Sequence, residues 1–203
     1  MEKGKPAWWD EAYAFLSQDE ILGPVARSYP TESLVGRGDI FSTLLRSIVG
    51  QQISVIAADA VWGRLVELVG EITPEAIREF TVEELASCGL SRPKSNYIHD
   101  LALKSDALLL QNWNDYSDDE LLAHFTKFRG IGPWTAEMIL IFTLMRPDIF
   151  SIGDISLIRA VQQLVPEADS KDKVLELSKR WIPYRTAACW YLWRMLDPVP
   201  VEY

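Results

Sequence analysis

Cysteine, histidine and long apolar runs are all scarce in this chain of 203 residues. Because Cys88 and Cys189 are the only cysteines, the chain can form neither a disulfide framework, nor a Cys₄ zinc site, nor a four-cysteine iron–sulfur cluster. His99 and His124 have no metal-ligand spacing to the cysteines, so we interpret both as structural or surface residues. The longest uncharged apolar run, near 138–145, is far shorter than the roughly 20 residues of a membrane span, so we expect no membrane partner.

Positive charge is also in short supply. The chain carries 20 Lys and Arg against 29 Asp and Glu, a net charge of −9, which argues mildly against a nucleic-acid partner. The imbalance lies in residues 1–125, which hold 10 basic and 20 acidic side chains, whereas residues 126–203 hold 10 and 9. A local basic surface is therefore still compatible with the second part of the sequence. The 48% of hydrophobic residues is typical of a globular chain rather than a disordered one.

No convincing strand alternation is present, and the apolar residues repeat with a helical period almost throughout. Helix starts are marked by caps at Thr73, Thr81, Ser117 and Asp154 and by a proline at position 133. Such caps work because a Ser, Thr or Asp oxygen accepts a bond from one of the first amides of a helix. The pattern predicts an all-α fold of about ten short helices joined by short loops.

A short connection between two predicted helices, Gly-Ile-Gly at 130–132, is the first functional feature. Glycine permits a tight turn and a close approach to another molecule. The helix that begins at Pro133 presents its first amides to an anion, and Lys127 and Arg129 lie beside it, so a nucleic-acid phosphate would fit. Any helical hairpin can use such a connection, so the spacing alone leaves both interpretations open.

A carboxylate, Asp154, follows the apolar loop 149–153 and lies 22 residues after Gly132. An aspartate at the start of a helix is ordinarily an N-cap and nothing more. In company with a phosphate-binding hairpin, the same carboxylate could serve catalysis. Its position alone does not decide between these roles.

A longer segment, from Phe128 to Arg159, resembles across its whole length the signature of the helix–hairpin–helix–GPD superfamily of DNA glycosylases. In that signature the hairpin is followed by a Gly/Pro-rich loop and an Asp. Residues 47–54 and 89–98 also resemble the superfamily, so the resemblance covers about residues 36–196.

The resemblance implies two helical lobes around a DNA-binding cleft. One lobe would be residues 38–146, which end with the helix–hairpin–helix. The other would combine residues 1–37 with residues 147–203 and carry Asp154.

The residue two positions after the second hairpin glycine separates branches of the superfamily. Bifunctional members carry a lysine there that attacks the sugar, whereas this chain has Trp134. Together with the run from Trp181 to Trp193, this resembles the DNA-3-methyladenine glycosylase II family in its compact form, without the extra N-terminal α/β domain of longer members. The resemblance implies a monofunctional glycosylase with no lyase activity. It would excise alkylated purines of the 3-methyladenine type from duplex DNA in base excision repair and leave an abasic site.

The chemistry agrees with the residues that the resemblance assigns. An alkylated purine is cationic, so an aromatic pocket can hold it by stacking and cation–π attraction. The resemblance implies Trp134 and Trp193 as pocket residues, with Met138 as a soft wall. Asp154, favoured in its ionised form by the helix N-terminus, would stabilise the oxocarbenium-like sugar and orient the attacking water.

The remaining site residues follow from the hairpin and from the resemblance. The predicted DNA-binding residues are Gly130, Ile131, Gly132, Thr135, Lys127, Arg129 and Lys94. The wedge that fills the gap left by the flipped base would be Gln51 or Gln52, although a family member can carry an apolar wedge such as Leu at the second position. The two glutamines could instead cap a broken helix. A monovalent cation could be held by the backbone carbonyls of Thr126, Phe128 and Ile131. No cofactor and no iron–sulfur cluster is required.

Two alternatives stay open. One is a non-catalytic helix–hairpin–helix module that only binds DNA, with Asp154 as a cap. The other is a glycosylase for a neutral lesion such as uracil, hypoxanthine or an oxidised purine, whose hydrogen-bonding residues the sequence does not place. Whether the substrate is an alkylated purine or a neutral lesion, we expect the enzyme to be a monomer that acts on double-stranded DNA. Depending on the organism, it would act in the cytoplasm at the nucleoid or in the nucleus.

Overall fold

The computed structural model describes residues 4–196, with the exception of the Val55 side chain. Within that range the regular secondary structure is helical apart from one isolated bridge between Gly4 and Gly36, so the all-α prediction is confirmed. In chain order the helices are α1 (Trp9–Leu16), α2 (Gly23–Arg27), α3 (Ile40–Gly50), α4 (Val55–Val69), α5 (Pro74–Arg78), α6 (Val82–Ser87), α7 (Arg92–Leu103), α8 (Ser105–Leu108), α9 (Asp118–Phe125), α10 (Pro133–Phe142), α11 (Ile155–Leu164), α12 (Lys171–Ser178) and α13 (Arg185–Leu196). Single 3-10 turns occupy Trp113–Asp115 and Lys179–Trp181. None of these helices has the length and hydropathy that a membrane span requires.

Two compact units divide the described chain. One consists of residues 39–139, and the other takes its described residues from 4–38 and 140–196. The division falls inside α10, whereas the sequence placed the end of the first lobe at residue 146. The last turn of α10 belongs with the second unit because the Phe142 ring stacks on Trp193, with ring centroids 5.8 Å apart. Residues 1–3 and 197–203 of the predicted second lobe lie outside the described residues.

The 39–139 unit is built around α7, which packs against α3, α5 and α6. Leu44, Ile98 and Leu101 are fully buried in its core. Its short helices begin where the sequence predicted, because Thr81 and Ser117 each form a capping box with the glutamate three residues later. Capping boxes satisfy two otherwise unpaired amides at each start.

Helix α13 is the centre of the second unit and packs against α1, α2 and α11. Its residues 186–194 are all buried, which is typical of a helix that is apolar around its whole circumference. The one charged residue in that stretch, Arg194, is compensated by an ion pair with Glu32 and by the Tyr29 ring 4.8 Å from its guanidinium.

Helix α10 is shorter than the apolar run of the sequence. That run continues to residue 145, but the helix ends at Phe142. Met145 adopts a left-handed backbone with φ of 51°, which no helix accommodates. The stretch that follows contains turns, and the Asp154 amide donates to the Ser151 carbonyl at 3.0 Å.

Candidate active site

The hairpin between α9 and α10 is a short, tight connection. Gly130 has φ of 88°, a left-handed conformation that favours glycine. The next amide, of Ile131, donates to the Phe128 carbonyl at 3.1 Å, and Gly132 starts α10 by accepting the amide of Ala136 at 3.0 Å. The predicted helix–hairpin–helix is therefore present, with the N-terminus of α10 directly after the second glycine.

A second constraint on Gly130 comes from Tyr97 of α7. A Cβ at position 130 would lie 2.6 Å from the Tyr97 ring, which is closer than atoms can pack. On the same ring, the guanidinium of Arg129 lies 5.8 Å from the centroid. The hairpin is thus held against α7 by an aromatic side chain that only a glycine can approach.

The two basic residues of the hairpin are available to a ligand. Lys127 and Arg129 are exposed, and neither forms an ion pair with a carboxylate within the described part of the chain. Thr135 differs from the prediction in one respect. Its side chain is only 2% exposed, so any contact of this residue with DNA would come from its backbone amide.

Lys94 lies in a different environment from the one predicted. Its ammonium donates to the carbonyls of Val49 at 2.8 Å and of Gln51 at 2.7 Å, at the C-terminal end of α3. Helix C-termini leave carbonyls without intrahelical partners and favour a cation. Partial burial lowers the pKa of the Lys94 ammonium. Two of its three N–H donors thus serve the protein itself, and the predicted phosphate contact has no direct structural support.

The two wedge candidates have distinct surroundings. The Gln51 amide nitrogen donates to the Gly130 carbonyl at 3.0 Å and, more weakly, to the Thr135 hydroxyl at 3.4 Å. Gln52 is exposed and has a left-handed backbone with φ of 59°. The backbone of Gln51 is the C-cap of α3, as one alternative predicted, while its side chain links the corner to the hairpin. Gln52 is the glutamine that is exposed to solvent.

Asp154 is the N-cap of α11, as the sequence predicted. Its Oδ1 accepts the amides of Ser156 at 2.8 Å and of Leu157 at 3.0 Å. The side chain is 7% exposed. Both amide donors meet one oxygen, which fixes the orientation of the carboxylate. The cap and a catalytic role are therefore compatible in one geometry.

The loop that carries Asp154 is tied to the start of α13. The Thr186 hydroxyl donates to the Arg146 carbonyl at 2.6 Å and accepts the Ile149 amide at 3.0 Å. Arg185 binds both carboxylate oxygens of Asp148, at 2.7 and 2.9 Å. The roles of Arg185 and Thr186 were not predicted from the sequence. Both residues lie within the Trp181–Trp193 run that carried the family resemblance, and that run was the only signal for them.

The predicted pocket residues are placed as follows. Trp193 is 7% exposed, stacks on Phe142, and its Nε1 has no hydrogen-bond partner among the described residues. Trp134 is half-buried in the first turn of α10. Met138 is fully buried, as expected of a core residue. The pocket roles of all three residues remain predictions.

Comparison with known proteins identifies the family. A family model described as an HhH-GPD superfamily base excision DNA repair protein matches residues 45–184, more than half of the chain. The chain belongs to the HhH-GPD superfamily. The predicted membership is confirmed.

HhH-GPD relatives of known name agree with this assignment. The chain is 34% identical over 162 residues to DNA-3-methyladenine glycosylase 1 of Schizosaccharomyces pombe, covering 76% of this chain and 71% of the relative. It is 31% identical to the DNA-3-methyladenine glycosylase of Bacillus subtilis, covering 91% of this chain and 66% of that protein. The solved structure of S. pombe 3-methyladenine DNA glycosylase in complex with abasic DNA superimposes with a TM-score of 0.80 at 30% identity, covering 95% of this chain and 100% of that one. The predicted resemblance to 3-methyladenine glycosylases is thereby confirmed.

The HhH-GPD hairpin contains the backbone carbonyls for which a monovalent cation was predicted, and the cation remains a prediction. Among the described residues, no cluster of His, Cys, Asp and Glu side chains could hold a metal ion. The Phe128 carbonyl accepts the Ile131 amide and keeps a second lone pair. The Thr126 hydroxyl donates to the Leu122 carbonyl at 2.7 Å, so only the backbone of Thr126 is a candidate ligand. Neutral carbonyl oxygens are ligands that bind K⁺ in selectivity filters, so this donor set fits a monovalent cation.

Proposed function

We propose that this chain is a monofunctional DNA glycosylase that hydrolytically removes alkylated purines of the 3-methyladenine type from duplex DNA and leaves an abasic site. The observation that carries the proposal is the placement of Asp154, a buried carboxylate held by two amides at the N-terminus of α11. A module that only bound DNA would need the hairpin but no such carboxylate. The named relatives support the same substrate class.

The role of Asp154 follows from its chemistry. As the bond between base and sugar breaks, positive charge develops on the sugar, and a nearby carboxylate stabilises that charge. The same group can orient or deprotonate the attacking water. Glycoside hydrolysis makes the same demand of its carboxylates. Because the fixed Oδ1 leaves the carboxylate no freedom to rotate, little reorganisation is needed during the reaction.

Departure of the base requires little catalysis by the protein. A purine alkylated at N3 or N7 is cationic and its bond to the sugar is already weakened, so strong acid catalysis is unnecessary. The base must leave the helical stack to be reached. Trp134 and Trp193 are the candidates that would stack on it, each contact contributing about 0.5–2 kcal/mol through cation–π attraction. With tryptophan in place of lysine at position 134, no imine forms and the DNA strand stays intact.

Duplex DNA is the proposed partner, bound through the hairpin. The amides at the start of α10 and the exposed Lys127 and Arg129 supply phosphate contacts that do not depend on sequence. The monovalent cation, held by carbonyls of the hairpin, would add positive charge at the same place. The reaction needs no redox cofactor. The protein would act as a monomer wherever the DNA of the organism lies, at the nucleoid or in the nucleus.

Base release from methylated duplex DNA tests the proposal, comparing wild type with Asp154→Asn. Asparagine also caps helices, so the variant should fold and bind DNA while base release falls at least about 100-fold. Asp169→Asn is a matched control, since Asp169 is exposed and, among the residues that the structure describes, forms its ion pair with Lys173. It should behave as wild type. Strand breaks should appear only after alkali treatment.

Other outcomes would change the assignment. DNA binding without release of any base by wild type would favour the non-catalytic module. Release by wild type from DNA containing uracil or hypoxanthine, but not from methylated DNA, would favour a neutral lesion. Equal release by wild type and Asp154→Asn would remove Asp154 from the mechanism.

A further inference from the structure

One face of α7 contacts two separate loops of the 39–139 unit. Lys94 and Tyr97 lie three residues apart, a spacing that places both side chains on the same side of a helix. Lys94 holds the carbonyls at the end of α3. Tyr97 packs against Gly130 of the hairpin and lies under Arg129. This helix is therefore a common support for the corner after α3 and for the hairpin.

Gln51 closes the arrangement. Its backbone carbonyl accepts the Lys94 ammonium at 2.7 Å, while its side chain donates to the Gly130 carbonyl at 3.0 Å. The corner and the hairpin are thus linked directly as well as through α7. The residue that follows, Gln52, is exposed in a left-handed conformation, so its direction depends on how the corner is fixed.

Lys94 is suited to this task by its surroundings. The Ile53 amide donates to the Gly50 carbonyl at 3.4 Å. It therefore does not form the i to i−4 helical hydrogen bond to the Val49 carbonyl. The Val49 carbonyl receives the Lys94 ammonium instead. Partial burial lowers the pKa of Lys94, a cost that its two carbonyl partners offset.

We propose that Lys94 and Gln51 are positioning residues that set the register between the phosphate-gripping hairpin and the corner that enters the DNA. The inference rests on the proposed function. A hairpin alone binds a phosphate anywhere along a duplex, since phosphate contacts do not depend on sequence. A corner held at a fixed distance from that phosphate enters the stack at one nucleotide only. Lys94 and Gln51 would therefore determine how strongly the protein prefers DNA with a missing or flipped base to intact duplex.

The competing interpretation is that Lys94 itself contacts a phosphate, as the sequence suggested. The two interpretations differ in their salt dependence. Each phosphate neutralised contributes about 0.9 to the slope of log affinity against log salt on B-DNA. Removal of a phosphate contact lowers that slope, whereas removal of a positioning contact leaves it unchanged.

The experiment measures affinity for two duplexes that differ only in a tetrahydrofuran abasic-site analogue, over a range of salt concentrations. Lys94→Met and Gln51→Leu are each expected to lower the preference for the abasic duplex about tenfold, with the salt slope of wild type. Single-turnover release from methylated DNA should slow by a similar factor. Lys104→Met is the matched control, because Lys104 is the C-cap of the same helix and pairs with Asp100. It should keep the wild-type preference.

The double variant adds a test of coupling. Because both side chains fix one corner, the combined loss should be less than the product of the single losses. Thermal melting accompanies each variant. If Lys94→Met fails to fold, the result for Gln51→Leu decides whether the inference holds. This variant removes only the hydrogen bonds of one half-buried side chain, so it should fold.

Two results would overturn the inference. One is a slope lower by about 0.9 for Lys94→Met with an unchanged abasic preference, which would make Lys94 a phosphate contact. The other is an unchanged preference in Gln51→Leu. Failure of the proposed function is separate: wild type would then release no base from methylated DNA, while preference for the abasic analogue would still report on the corner.

Discussion

The two loops on which the proposed function depends differ in exposure and in what fixes their backbone. The hairpin, residues 126–132, is exposed at its basic residues and is shaped by a left-handed glycine. The loop before Asp154, residues 146–153, includes Ile149, Phe150 and Ser151, all of which are buried. Side chains of α13, up to 40 residues further along the chain, hold its backbone. The hairpin takes its turn from its own glycine and is supported by Tyr97 and Gln51, whereas the backbone of the loop before Asp154 is itself held by side chains that lie far along the chain.

This difference matches what each loop has to do. A loop that binds phosphate needs backbone amides and positive charge, which a short segment of sequence can supply. A carboxylate that stabilises a developing charge has to stay in one place, since misplacement by about 1 Å can cost a hundredfold in rate. We therefore expect substitutions around the Asp154 loop to affect catalysis and those in the hairpin to affect binding.

After Asp154→Asn, the largest effect is expected for Thr186→Val. Valine keeps the shape but removes the hydroxyl, so the Arg146 carbonyl and the Ile149 amide lose their partner. An unsatisfied buried polar group costs about 1–3 kcal/mol, and the loop should shift. Single-turnover base release should fall about 10- to 100-fold, with the salt slope of DNA binding unchanged. Thr186→Ser keeps the hydroxyl and is the control. Full activity in the valine variant would show that α13 does not position this loop.

Gly130→Ala should affect the other loop. A Cβ at this position meets the Tyr97 ring at 2.6 Å, with φ of 88°, so strain and overpacking together should cost about 2–4 kcal/mol. Urea unfolding should show the loss, and DNA affinity should fall with it. Gly132→Ala is the stability control, because a Cβ there has no neighbour within 4 Å. Equal stability of the two variants would contradict a Tyr97-dependent hairpin.

Local signals explain which parts of the fold the sequence could predict. The capping boxes at Thr81 and Ser117 and the N-cap at Asp154 are short-range patterns, and the structure contains all three. The hairpin glycines were found for the same reason. Family resemblance then supplied the function that spacing alone left open.

Contacts between distant residues explain the rest. No pattern near Lys94 indicates that its ammonium would bond to carbonyls 43 and 45 residues earlier. Thr186 likewise acts on a segment that precedes it by 40 residues. Beyond the end of α10, the left-handed Met145 accepts the indole N–H of Trp8 on its carbonyl at 2.8 Å, a contact across 137 residues. Such partners become visible only when the chain is folded.

The smallest effect is expected for Lys127→Gln, because this substitution should change DNA binding and leave stability and base release unchanged. Lys127 is exposed, so its loss should leave thermal stability unchanged. The slope of log affinity against log salt should fall by about 0.9, since one phosphate contact disappears. Lys171→Gln, an exposed lysine of the other unit, should keep the full slope. Release measured at saturating DNA should match wild type in both variants, because the proposed catalytic carboxylate of Asp154 is held by amides of α11 and its loop by Thr186 of α13. An unchanged slope for Lys127→Gln would mean that the exposed side of the hairpin does not face the phosphates, and that the amides of α10 bind them without its help.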